Sequence, residues 1–134
     1  MISTALARAL RDSGLVWKPR SGDQFRIDLV EADDELYVLS DLTVEAHEFS
    51  TGTVLGFNGT TEWALDSVSI EEALWHPHEH QLRGALGPAF VSLTVDGGYR
   101  VTATIDGQSS TFGAEEAADA YAKALLALLD SLVV

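Results

Sequence analysis

The sequence predicts a single α+β domain, residues 1–134, in which a mainly antiparallel sheet built from two meanders packs with three helices. Three observations carry this expectation. Apolar residues alternate with polar ones in two groups of short segments, three other stretches place them at helical spacing, and the two kinds do not follow the strand-helix-strand order of a parallel sheet. No linker separates the halves.

The first helix is expected over about residues 3 to 13. Ser3 can cap it, Ile2, Ala5, Leu6, Ala9 and Leu10 recur at three- and four-residue spacing, and Gly14 supplies a stop. Lys18-Pro19-Arg20-Ser21-Gly22-Asp23 reads as an irregular connection. Phe25, Ile27 and Leu29 then alternate with Arg26 and Asp28 as in a strand, and Leu36 to Leu39 is an apolar run suited to a buried one. Leu42, Val44 and Ala46 alternate with Thr43, Glu45 and His47, and Thr53 to Phe57 can return as their hairpin partner. Thr61 to Ile70 has no clean period and is expected to be irregular.

Pro77 suits the first position of a second helix that Gly87-Pro88 ends. Val91, Leu93 and Val95, a Gly97-Gly98 turn, then Tyr99, Val101, Ala103 and Ile105 form the clearest hairpin in the chain. Asp106-Gly107 turns into a third short strand ending near Phe112. From Ala114 to about residue 130, Ala117, Tyr121, Leu125, Leu128 and Leu132 line a last helix, whose first turns carry Glu115, Glu116 and Asp119 to complement its dipole. Its end is apolar on more than one face, which implies either burial across the sheet or a homodimer through this C-terminal helix.

With 46% hydrophobic and 22% charged residues the chain has the mix of a soluble globular protein. No run approaches the roughly eighteen apolar residues of a membrane span, and no export signal is visible, so membrane insertion is not expected and a cytoplasmic location is. There is no cysteine, which excludes disulfides and thiolate chemistry. Eight Lys and Arg against 21 Asp and Glu give a formal charge of −13, which repels nucleic-acid phosphates. Five of the eight cations precede residue 27, and Ile27 to Leu82 holds thirteen acids with no Lys or Arg. That middle reads as a solvated acidic face or as a surface for a basic protein partner.

The expected function is therefore a non-catalytic protein-interaction module, with Asp33, Asp34, Glu35, Glu62, Trp63 and Trp75 as candidate partner-binding residues. For both Trp63 and Trp75, core packing is the favoured reading over an interface role. An alternative is a metal-binding protein or metal-dependent enzyme using Trp75-His76-Pro77-His78-Glu79-His80. His76 and His80, four apart, could hold a divalent ion if another residue such as Glu79 or His47 joined them, whereas His78 and His80 would diverge on a helix starting at Pro77. Otherwise no cofactor is implied. Glu45 and His47 share a strand face and could form an acid/base pair, but no nucleophile motif accompanies them. Gly52, Gly56 and Gly59 lack the Lys-Ser/Thr ending of a phosphate loop. A third reading is an acidic mimic of nucleic acid.

The segments Asp41 to Glu45, Gly56 to Asp66, Glu72 to Pro77 and Gln81-Leu82-Arg83 resemble a family of small actinobacterial proteins, some of which are called pilus assembly proteins of the CpaE type. That resemblance implies no catalytic residue, and the nucleotide-binding loop of the pilus ATPases is not in this chain. Residues 89 to 130 are similar, more loosely, to the sandwich domains of small phage-encoded proteins and to antitoxin-like folds.

Overall fold

The computed structural model describes residues 1–27, 35–39 and 72–132, and the backbone of strands 44–49, 52–57 and 67–69. In chain order the elements are α1 (Thr4–Asp12), β1 (Gln24–Ile27), β2 (Tyr37–Val38), β3 (Val44–Phe49), β4 (Gly52–Phe57), β5 (Ser67–Ser69), β6 (Ala73–His76), α2 (Glu79–Leu86), β7 (Phe90–Val95), β8 (Tyr99–Ile105), β9 (Gln108–Ala114) and α3 (Ala117–Ser131). All described strand pairs are antiparallel, so the α+β class holds. The chain divides into two compact units: Met1–Val16 with Pro77–Val134, and Trp17–His76.

The first unit joins the two ends of the chain. Ser3 caps α1 by accepting from the Leu6 N–H at 3.3 Å, and its own N–H donates to Asp119 Oδ1 at 2.7 Å in the first turn of α3. One acid thus serves α3's dipole and ties α1 to it. At the other end Ser13 Oγ donates to Asp130 Oδ1 at 3.2 Å. Ile2, Ala7 and Leu10 are buried, as are Leu82 and Leu86 of α2. The sheet runs β7-β8-β9, its hairpins closed by Gly97-Gly98 and by Asp106-Gly107, all four at positive φ. α3 lies across β8 and β9. Ala117, Ala118, Ala120, Ala122 and Ala124 are all buried, and side chains this small let the helix come close to Val101 and Ala103.

The helix boundaries are shifted inward from those expected. α2 begins at Glu79 and not at Pro77, because His78 is the N-cap and its N–H donates to Gln81 Oε1 at 2.9 Å. α3 begins at Ala117 and not at Ala114, because Ala114 completes β9 opposite Tyr99. Of the two origins weighed for the apolar end of α3, packing across its own sheet accounts for Leu125, which is buried, while Leu132 is 68% exposed.

The second unit departs further from a meander. β1 is the centre of a sheet ordered β2-β1-β6, pairing Phe25 with Tyr37 on one side and with Trp75 on the other. No element is expected over residues 71–76 from the sequence; the Ala73-Leu74-Trp75-His76 run of β6 is buried except for Trp75, and four residues are too few for a period to declare a strand. Val38 of β2 is 51% exposed, against the buried strand expected there. β3, β4 and β5 form a separate antiparallel meander. Phe25, Ile27, Leu39 and Ala73 make a core against which Trp17 and Tyr37 pack.

Candidate functional site

The aromatic cluster of the second unit is built on a buried carboxylate. Asp23 is 3% exposed, and its Oδ2 accepts from Trp17 Nε1 at 2.8 Å and from the Arg20 N–H at 3.0 Å. The Gly22 and Leu39 N–H groups donate in turn to Leu39 O and Asp23 O, which ties this turn to the chain beyond β2. Held so, Trp17 stacks on Trp75 with ring centroids 6.3 Å apart and packs on Phe25 at 5.5 Å, while Phe25 stacks on Tyr37 at 5.6 Å. Trp75, a candidate anchor in the sequence, is half-buried within this cluster. Its Nε1 is buried and has no hydrogen-bond acceptor among the described residues.

Of the other acidic and aromatic candidates, Glu35 is exposed and accepts from Tyr37 Oη at 3.2 Å. Asp33, Asp34, Glu62 and Trp63 lie outside the described residues. His76 is buried on β6, 2% exposed, opposite Gln24. His80 is exposed in the first turn of α2, where its ring stacks on that of His78 at 5.5 Å. Because His78 precedes the helix, these two rings do not diverge as helical neighbours would. Among the described residues no three His, Asp or Glu side chains gather to hold a metal ion. Glu45 and His47 both lie on β3, opposite Gly56 and Val54 of β4.

The feature that sequence reasoning missed is in the first unit, at the edge of its sheet. β7 pairs with β8 on one side, and among the described strands nothing pairs with its other side. Leu93 and Val95 stand opposite Val101 and Tyr99, so they belong to the face that carries α3. Since α3 is set over β8 and β9, that face is left open at β7: Leu93 is 37% and Val95 74% exposed. Val91, beside a bulge between Phe90 and Ser92, is 54% exposed. The strand Phe90–Val95 carries no charged residue, in a chain of net charge −13. Its one available sequence signal was that absence of charge, which an alternating apolar pattern disguises as a buried strand.

Charges stand at the two ends of β7. The Arg83 guanidinium lies over the Phe90 ring, 4.2 Å from its centroid, and Phe90 in turn stacks on Tyr121 of α3 at 5.8 Å. At the far end Asp96, exposed, leads into the Gly97-Gly98 turn. Asp96, Tyr99, Arg100, Ala114 and Glu115 help line an open recess of about 270 Å³ beside that turn. This is below the usual range of pockets that enclose a small molecule. Comparison with known protein families, with curated proteins and with solved structures finds no match to this chain.

Proposed function

We propose that this chain is a protein-interaction module whose contact surface is the uncovered edge of the β7-β8-β9 sheet. The observation that supports this reading is the exposure of Val91, Leu93 and Val95 on a strand without charge. An open edge offers unpaired N–H and C=O groups to any extended segment, and natural sheets ordinarily blunt such an edge with lysine, proline or a covering element. Among the described residues β7 has only the bulge at its start, which leaves Ser92–Val95 regular. The opposite edge, β9, has the polar sequence Gln-Ser-Ser-Thr over its first four residues, so the apolar character is confined to one side of the sheet. Burying three such side chains in a partner would contribute about 1.5–3 kcal/mol each, to which the main-chain hydrogen bonds of an added strand would add.

The reading is tested by affinity capture with the parent chain and with a Val91→Lys/Val95→Lys variant, both verified as folded by far-ultraviolet circular dichroism. Each retained protein, this chain included, is then purified and titrated against both baits. The expected result is at least one partner whose affinity falls tenfold or more with the lysine variant, about 1.4 kcal/mol. Equal binding to both baits, or no binding to either, would refute the β7 surface.

A further inference from the structure

The aromatic cluster of the second unit has a property beyond packing, and we propose that it is a one-electron relay, carrying an oxidising equivalent from Trp75 and Trp17 to Tyr37 beside the exposed Glu35. The proposal is confined to this unit and does not depend on the β7 edge. The chain has no cysteine and a single methionine, so oxidising equivalents reach its tryptophans and tyrosines with little competition from sulfur.

A phenol, and to a lesser degree an indole, gives up an electron more readily when its proton can leave at the same time, since the product is then a neutral radical. Two rings of the cluster have an acceptor in place for that proton. Trp17 Nε1 donates to Asp23 Oδ2 at 2.8 Å, and Tyr37 Oη donates to Glu35 Oε2 at 3.2 Å. Trp75 Nε1 has no acceptor among the described residues, so an electron vacancy on Trp75 passes to Trp17, whose ring is stacked on it with centroids 6.3 Å apart. Phe25 lies 5.5 Å from Trp17 and 5.6 Å from Tyr37, and so bridges the two oxidisable rings with one that is not itself oxidised. The placing of the carboxylates thus sets a direction, from the ring without an acceptor to the ring beside an exposed one.

An oxidant of the radical or metal-complex class takes one electron from Trp75 or Trp17. With the vacancy on Trp17, its Nε1–H bond breaks and the proton goes to Asp23, leaving a neutral indolyl radical. Tyr37 then supplies one electron through Phe25, its Oη proton goes to Glu35, and Asp23 returns its proton to Trp17 Nε1. The net change is one phenoxyl radical on Tyr37, one proton released to water through Glu35 and an oxidant reduced by one electron. A hydrogen-atom donor such as ascorbate then restores the tyrosine.

The test is flash photolysis of the full chain with tris(bipyridine)ruthenium and persulfate, read by transient absorption and electron paramagnetic resonance. A Trp63→Phe background leaves Trp17 and Trp75 as the indoles. An indolyl radical should form first and decay as a phenoxyl radical rises, and the rise should slow in deuterium oxide. Tyr37→Phe should abolish the phenoxyl radical and lengthen the life of the indolyl radical about tenfold or more, and Glu35→Gln, on an exposed side chain, should slow the rise about tenfold or more. Tyr99→Phe and Tyr121→Phe, in the other unit, should change neither. The absence of a phenoxyl radical, its survival in Tyr37→Phe, its formation with no preceding indolyl radical, or a rise indifferent to both Glu35→Gln and deuterium oxide would overturn the relay. The β7 surface stands or falls separately, by affinity capture.

Discussion

Replacing Asp23 by alanine removes the carboxylate whose Oδ2 accepts from two N–H groups, the Trp17 indole at 2.8 Å and the Arg20 backbone at 3.0 Å. A hydrogen bond to a charged acceptor contributes about 1.5–3 kcal/mol, and Trp17 is half-buried while Arg20 is exposed, so the lower figure applies to each and the sum is about 3 kcal/mol. Asp23→Asn keeps an acceptor oxygen but not the charge, and is expected to lose about half as much. The sequence itself supplies the assay. Trp17, Trp63 and Trp75 all fall in the unit Trp17–His76, whereas α1, α2 and α3 all fall in the other, so tryptophan fluorescence reports one unit and helical ellipticity the other. In Asp23→Ala the fluorescence midpoint should fall by roughly 12–24 °C, a shift typical of 3 kcal/mol in a unit of this size. A midpoint within about 2 °C of the parent, too small for the loss of even one such bond, would show that the carboxylate does not hold the aromatic cluster.

Gly98 has φ +144°, and a Cβ there would lie 3.0 Å from Ala114 O, whereas a Cβ at Gly97, φ +64°, would meet nothing within 4 Å. Gly98→Ala should therefore cost about 1–3 kcal/mol and Gly97→Ala about 1 kcal/mol, read from the ellipticity melt; the reverse order would contradict the tight β8-β9 junction. Thermal stability should rise between low salt and physiological NaCl, because thirteen carboxylates between Ile27 and Leu82 have no Lys or Arg among them in sequence. Asp33→Asn/Asp34→Asn/Glu35→Gln should leave the fold as stable or slightly more so, and a clear loss of stability would mean that these acids are held in native ion pairs.

Local signals in the sequence carried the elements that stand by themselves. The Ser3 cap, the Gly97-Gly98 hairpin, the Asp106-Gly107 turn and the amphipathic last helix each combine a period with a punctuating residue, and all are found in the structure. Non-local choices were not legible. Nothing in Thr4–Asp12 says that it packs beside residues more than a hundred positions away, as Ser3 and Asp119 show it does. β6 was hidden because Ala73–His76 is too short for periodicity and lies next to a proline that mimics a helix start. The candidate site was hidden for a related reason. Alternation reports which residues share a face, while cover depends on where α3 sits, and α3 is set over β8 and β9. Trp75 illustrates the converse: its bulk suits a core position or an interface anchor, and the Asp23 turn that brings Trp17 onto it could not be foreseen from spacing.

The most direct test of the β7 contact is amide hydrogen exchange of the full chain, alone and with a partner retained by affinity capture. The amides of Ser92–Val95 that do not bond to β8 should exchange freely in the chain alone and gain at least about tenfold protection in the complex, and those of β9 should not change. Exchange along β7 that is the same with and without the partner would contradict the β7 contact surface.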